Sequence, residues 1–419
     1  KGALWLIMYK IAVMGHGTVG SGVVEVFSRN HDGIIEKAGA DMDIKYILDL
    51  REFPELPYAD KFIKDFDIIL NDPEIIVVVE VMGGLNPAYD YVKRCLLAGK
   101  SVVTSNKELV AAKGGELLKI ARDKNVNFLF EASVGGGIPI IRPISQCLAA
   151  NDLIEIIGIL NGTTNFILTK MFKEGMSFEA ALSMAQKLGY AERDPSADID
   201  AHDSCRKICI LASLAFGRHV YPAQVQTEGI RRITGIDVAY ADACGCVIKL
   251  IGQTKKVDDE HIQCLVAPMF VSKNSQLSTV DDVFNAIMVR GNATGDVMFY
   301  GRGAGKMPTA SAVVADVIDC IKHVKARKYL YWDEGRPDYV TDQDEAVSRF
   351  FIRAKAADLE STEKLVKKLF GNVTFVRAES APPHELAFIT LPEKEGITKE
   401  KLKSASLHIE PIAMLRMCD

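Results

Sequence analysis

Residues 9–20 fix the first unit of the fold. An apolar run, YKIAVM (9–14), leads into Gly15-His16-Gly17-Thr18-Val19-Gly20, and a helical pattern, SGVVEVFSRN, follows. Strand, glycine turn and helix in that order can hold a dinucleotide. Gly15 and Gly17 permit the tight turn and the close approach of a pyrophosphate, and Gly20 lets the helix pack on the strand. The amides of Thr18, Val19 and their neighbours at the helix start would face the phosphates.

The pattern then repeats. IKYILDL carries Asp49 at its end, and IIVVVEVM (75–82), a helix near 87–98, SVVTSN (101–106), a helix near 107–123 and VNFLFEAS (126–133) follow. Nearly all-apolar strands alternating with helices specify a parallel sheet covered on both faces. Asp49 at a second-strand end suits a ribose 2′-OH and so favours NAD, whereas Arg51 suits a 2′-phosphate. Physics leaves both open. Lys107 follows a strand, where strand ends meet the cofactor crevice.

After Gly135-Gly136-Gly137 the pattern changes. LIEIIGIL (153–160) reads as a strand, 165–188 as helices and 203–216 as an amphipathic helix. Further strands are expected over 245–302, with a helix over 309–325. This is an α+β region with a mixed sheet. Asn161-Gly162-Thr163-Thr164-Asn165 lies between strand and helix, where Thr and Asn can cap the helix. Glycine-bent carbonyls from Glu131 onward can collect a hard cation, although such a run also serves as a hinge. A polar, acidic linker (333–346) precedes a block reading β-α-β-β-α-β, the order of a ferredoxin-like module. The expected division is a dinucleotide-binding domain over 8–140 completed by 303–328, an α+β domain over 141–302, to which the family resemblance given below assigns substrate binding and dimerisation, and a terminal module over 347–419.

At 419 residues the chain exceeds one ordinary core, so two or three domains are expected. A net charge of −5 supplies no electrostatic reason to bind nucleic acid or an anionic membrane. No stretch reaches the ~18 apolar residues of a membrane helix. The nine cysteines are scattered without a C-x-x-C, which reads as reduced thiols in the cytoplasm. Met8 reads as a natural start, with residues 1–7 an upstream extension.

The segment 189–207, GYAERDPSADIDAHDSCRK, holds five acids: Glu192, Asp194, Asp198, Asp200 and Asp203. Asp203 and Lys207 are four apart on one helix face. A carboxylate and an amine on a rigid helix beside an acidic loop can hold a small zwitterion and move a proton. His202 reads as a helix-entry residue, and Cys205 with Cys209 as core packing.

Together these pieces resemble homoserine dehydrogenase over residues 8–419. The matching positions are Ala185, Gly189, Asp194, Pro195, Asp198, Asp203 and Lys207, supported by NGTTN, SNK around Lys107, EASVGGGIP and GRGAGKMPTASAV. Ala201 departs from the usual glycine. The resemblance implies NAD(P)-dependent interconversion of L-homoserine and L-aspartate 4-semialdehyde. It implies Lys207 as proton donor and acceptor, Lys107 as its assistant near the nicotinamide, and Glu192 with Asp203 holding the substrate ammonium and orienting the lysine. Gly189 and Asp198 belong to the same substrate loop. Thr104, Lys107 and Gly303 resemble nucleotide-contacting positions, and Glu131, Val134, Gly136 and Ile138 resemble ligands of a sodium ion. Leu48 stands where the family often carries an arginine that reads a 2′-phosphate. The terminal block resembles an ACT domain, implying a threonine effector, although its usual glycine turn after the first strand is absent. A homodimer through the middle domain is implied, and no fused aspartate kinase is expected ahead of the nucleotide domain. The competing readings are another NAD(P)-dependent amino-acid oxidoreductase and a non-catalytic NAD(P) and amino-acid sensor.

Overall fold

The computed structural model describes residues 8–324, 326, 330–406 and 409–418; the expectation for residues 1–7 lies outside them. The first sheet holds six strands: β1 (Met8–Met14), β2 (Asp41–Leu48), β3 (Phe62–Ile63), β4 (Ile75–Glu80), β5 (Ser101–Thr104) and β6 (Phe128–Leu129). Every pairing is parallel, in the order β3-β2-β1-β4-β5-β6. The order reverses between β1 and β4, so the loops leaving those strands diverge and open a crevice. The intervening helices are α1 (Thr18–Arg29), α2 (His31–Ala38), α3 (Phe66–Asn71), α4 (Ala88–Leu97) and α5 (Lys107–Asp123).

Alternation in β1 and β4 sends side chains to two different cores. Ala12, Met14 and Val78 pack with α4 and α5, whereas Ile11, Val13, Val77 and Val79 pack with α1. The expected strand over 126–133 is shorter than its apolar run suggests. Phe130 leaves the extended region (φ −150°, ψ 37°), and Glu131–Ser133 form a 3₁₀ turn.

The middle unit runs β7 (Leu153–Ile159), α6 (Gly162–Glu174), α7 (Phe178–Lys187), α8 (Ser196–Ile199), α9 (His202–Phe216), β8 (Gln226–Thr227), α10 (Gly235–Ala243), β9 (Cys246–Lys256), β10 (Ile262–Ser272), β11 (Phe284–Gly291) and β12 (Gly295–Arg302). Strands β12, β11, β7, β9 and β10 pair antiparallel in that order. The next helix, α11 (Lys306–Lys322), starts three residues earlier than expected. It returns to the first sheet and packs on α1, where a Cβ on Gly22 would stand 2.9 Å from the Lys306 carbonyl.

The segment expected to be a linker is packed. Trp332 just before it is 1% exposed, Tyr339 within it 4% and Gln343 5%. The terminal block comprises β13 (Val347–Ser348), β14 (Phe350–Ala356), α12 (Leu359–Phe370), β15 (Thr374–Val376), β16 (Glu385–Ile389), β17 (Glu393–Lys394), α13 (Glu395–Ser404) and β18 (Ile409–Cys418). Its sheet order, β18-β14-β16-β15, is the ferredoxin-like one, and β13 pairs with β17 in a separate ribbon. Strand β18 also pairs parallel with β10, through Met269–Arg416, Phe270–Met417 and Val271–Cys418. The two sheets are therefore continuous. At this seam buried Arg416 reaches Glu395 at 2.6 Å and Glu228 at 2.9 Å. Among the described residues no helix is long and apolar enough to cross a membrane.

Candidate active site

The helix α9 is entered through Ala201, which takes a left-handed conformation (φ +66°) that favours glycine. Its methyl is fully buried, so the departure from glycine trades backbone strain for packing. His202 is the first helical residue, as expected, and Asp203 and Lys207 follow on one buried face.

Asp203 is the centre of the cluster. Lys207 Nζ donates to its Oδ2 at 2.7 Å. Lys107 Nζ, from the first residue of α5, stands 2.7 Å from its Oδ1. Asn161 Nδ2 donates to Asp203 Oδ2 at 2.9 Å and to Asp198 Oδ1 at 2.7 Å. Lys207 also donates to the Leu160 carbonyl at 2.7 Å, so two of its three N–H bonds are committed.

These contacts separate the two lysines electrostatically. Burial, with Lys107's charge beside it, brings Lys207 below the ordinary lysine value despite Asp203. Lys107 moves the other way, raised chiefly by the charge of Asp203, and its side chain keeps 41% of its exposure. Burial alone would raise Asp203, but the two ammonium groups and Asn161 hold it far below the carboxylate range. Asp198 is pushed up by burial and by the charge of Asp203.

Asn161 is a site residue that sequence reasoning left among helix caps. It does cap α6, its Oδ1 accepting from Thr164 N at 2.9 Å, while its amide nitrogen bridges the two aspartates. Its place between β7 and α6 was the available signal. The loop acids behave differently. Glu192 is exposed, and its peptide oxygen accepts from Gln186 Nε2 at 3.1 Å. Gly189 makes an exposed turn with φ +75°.

At the other end of the crevice, Gly15 takes φ +103° and its amide bonds to the Leu48 carbonyl. A Cβ on Gly20 would lie 2.0 Å from the Gly15 oxygen, but one on Gly17 would meet nothing within 4 Å. Gly17 is the N-cap of α1, followed by Thr18 and Val19, so open space and free amides coincide where an anion is favoured. Asp49 accepts from the His16 amide at 2.8 Å and from both sides of the Arg51 fork at 3.0 and 2.9 Å. The Arg51 pair keeps Asp49 ionised well below the usual carboxylate range.

Thr104 is buried, its hydroxyl donating to Glu80 Oε2 at 2.6 Å and accepting from the Asn106 amide at 2.9 Å. Burial raises the pKa of Glu80, which the sequence reading did not single out. Gly303 packs against Asn285, and a Cβ on Gly136 would stand 2.5 Å from the Gly303 oxygen. Gly135 and Gly136 both have positive φ, and Ile138 N bonds back to the Gly135 carbonyl at 2.8 Å. The Glu131 carboxylate accepts from the amides of Ile140, Ile141 and Arg142. Among the described residues no group of three His, Cys, Asp or Glu side chains could hold a metal, so a cation here would rely on main-chain oxygens.

Residues 15–131 match the family described as "Homoserine dehydrogenase, NAD binding domain", and residues 139–318 match "Homoserine dehydrogenase". The homoserine dehydrogenase of Synechocystis is 41% identical over 87% of this chain and 86% of its own length. That of Neisseria gonorrhoeae is 38% identical over 97% and 98%. The crystal structure of a homoserine dehydrogenase from Thiobacillus denitrificans superposes with a TM-score of 0.87 at 32% identity, covering 99% of this chain and 100% of that one. A hyperthermophilic archaeal homoserine dehydrogenase mutant, solved in complex with NADPH, superposes with a TM-score of 0.63 at 28% identity over 75% of this chain and 98% of that one.

Proposed function

The chain belongs to the homoserine dehydrogenase family of NAD(P)-dependent oxidoreductases, and from that premise we propose how its residues divide the work. The reaction interconverts L-homoserine and L-aspartate 4-semialdehyde. The observation that carries the assignment is the Asp203 carboxylate held between Lys107 and Lys207.

Lys207 moves the proton at the substrate's side-chain oxygen. In oxidation its neutral amine takes the hydroxyl proton, and in reduction its ammonium returns one. Burial favours the neutral form, which supports the base role. Lys107 keeps its proton, and its charge stabilises negative charge developing on that oxygen. Asp203 orients both amines. Glu192 binds the substrate ammonium from the loop that Gly189 and Asp198 shape. The nicotinamide, when bound, supplies hydride transfer at the carbon bearing the oxygen.

Gly15, Gly17, Thr18, Val19 and Gly20 hold the pyrophosphate, supported by the open space at Gly17. Asp49 and Arg51 meet the adenosine ribose, and Thr104, Lys107 and Gly303 border the nicotinamide side. A sodium ion at the carbonyls of Glu131, Val134, Gly136 and Ile138 is supported by the two left-handed glycines in that turn. The domain division at 140 and 303 is supported by the return of α11 to the first sheet. A homodimer is supported by exposed Met298 and Tyr300 on the edge strand β12. A threonine effector at the ACT-like block is supported by its ferredoxin-like order and a cavity of ≈ 520 Å³ between residues 227–237 and 412–415. Nine cysteines scattered along the chain without a C-x-x-C support a cytoplasmic location.

Absorbance at the reduced-nicotinamide band, with L-homoserine and either NAD or NADP, tests the assignment. Reduction of at least one coenzyme is expected. Folded enzyme that reduces neither would overturn it.

A further inference from the structure

The two lysines ride on different helices, so their spacing depends on how α5 is fixed against α9. Three features bear on that. The first is Gly114-Gly115 in the middle of α5. Each glycine weakens a helix interior relative to alanine. A Cβ on Gly114 would stand 2.7 Å from the Trp332 ring, and one on Gly115 would stand 3.5 and 3.6 Å from Trp332 Nε1 and His219 Nδ1. The helix is cut away here to admit two aromatic side chains.

The second feature is His219, two residues beyond Gly217, the C-cap of α9. It is 2% exposed. Trp332 Nε1 donates to its Nδ1 at 2.9 Å. An indole N–H only donates, so Nδ1 is the acceptor and the proton sits on Nε2. Nε2 in turn donates to the Ala111 carbonyl at 3.0 Å. Ala111 lies one helical turn after Lys107, so this bond fixes the opening turn of α5.

The third is the strap that carries Trp332. His219 N bonds to the Asp333 carbonyl and Asp333 N to the Gly217 carbonyl, both at 2.8 Å. Trp332 meets Phe130, just past β6, edge to face at 5.6 Å. The strap therefore joins the end of α9, the body of α5 and the last strand of the first sheet.

We infer that His219 and Trp332 are positioning residues that set the separation at which Lys107 and Lys207 share Asp203. The inference rests on the roles proposed above for those lysines. If α5 loosens, Lys107 withdraws from Asp203 and Lys207 loses a cationic neighbour. The charged groups facing Lys207 are Asp203 on its own helix, Lys107 from α5 and Asp198 from α8.

Two substitutions separate the two ring nitrogens. His219→Gln can still donate to Ala111 from the Nε2 position. His219→Asn can accept from Trp332 at the Nδ1 position but cannot reach Ala111. The test is the pH profile of kcat for L-homoserine oxidation, with thermal stability measured in parallel. His219→Asn should lose about tenfold in kcat through misplacement, and its lysine-governed limb should move to higher pH. His219→Gln, which keeps the Ala111 bond and loses only the one from Trp332, should lose less in kcat and shift the limb by less than His219→Asn. Trp332→Phe, which keeps an aromatic ring against Gly114, should shift the limb in the same direction by less. An unmoved limb and unchanged kcat in His219→Asn, with stability alone reduced, would overturn the inference; if that variant does not fold, an unmoved limb in Trp332→Phe would do so. Lys207→Ala is run beside them. Its retained turnover would sink the reading of the lysines, whereas its inactivity alongside an unmoved His219→Asn profile sinks only the positioning role.

Discussion

Lys107 Nζ on α5 lies 2.7 Å from Asp203 Oδ1 on α9, so a helix leaving the parallel sheet and a helix of the middle unit meet at an ion pair. Asp203 is nearly inaccessible whereas Lys107 is partly open, with side-chain exposures of 5% and 41%. The carboxylate is thus a fixed anchor, and the exposed amine is the group that a ligand can reach.

Lys207→Ala should lower turnover by at least ~100-fold, the scale of a positioned proton donor. Coenzyme binding, read by quenching of intrinsic fluorescence, should persist. Turnover close to wild type would exclude Lys207 from proton transfer.

The neighbours of Lys207 pull its pKa in opposite directions, so two substitutions should move the pH profile oppositely. Asp203 raises it and Lys107 lowers it. Oxidation needs the neutral amine, so Asp203→Asn should shift the rising limb of kcat to lower pH and Lys107→Ala to higher pH. Both should also reduce kcat. Parallel shifts would contradict the charge arrangement.

The glycines of the nucleotide turn should separate by role. Gly17→Ala adds a methyl into open space, so the protein should fold as before while its KM for coenzyme rises. Gly20→Ala drives a methyl to within 2.0 Å of the Gly15 oxygen, so melting temperature should fall sharply. Equal loss of stability in both would show that Gly17 serves only the fold.

His219 predicts a loss of stability in acid. Burial brings its pKa from 6.5 down to about 4. The unfolded chain therefore binds a proton that the folded chain resists, so stability is full above pH 6.5 and declines as pH falls toward 4. The drop should be about 3 kcal/mol at 1.36 kcal/mol per unit. Denaturant unfolding across that range should show it, and His219→Gln should remove this component.

What was legible in the sequence was local. The Gly15–Gly20 run and the alternating apolar strands announced the parallel sheet, and the i,i+4 spacing announced that Asp203 and Lys207 share a face. What escaped was joined over long distances. Trp332 and His219 are separated by 113 residues, and Asn161 and Asp203 by 42, so no periodicity marks either pair. Polar residues around 333–346 disguised a packed strap as a linker. The strand at 126–133 failed for another reason: apolar residues there bury without extended backbone once Phe130 turns.

The pairing of β18 with β10 means that the terminal module does not close off its own sheet. β9 occupies one side of β10, and β8 and β18 divide the other. Removing the last ten or so residues would strip a row of main-chain donors and acceptors bare along the floor on which α9 rests, beside the fully buried Phe270. Such a naked margin invites the edge of another chain. A tail-shortened chain would thus be lost to sticking to its own kind.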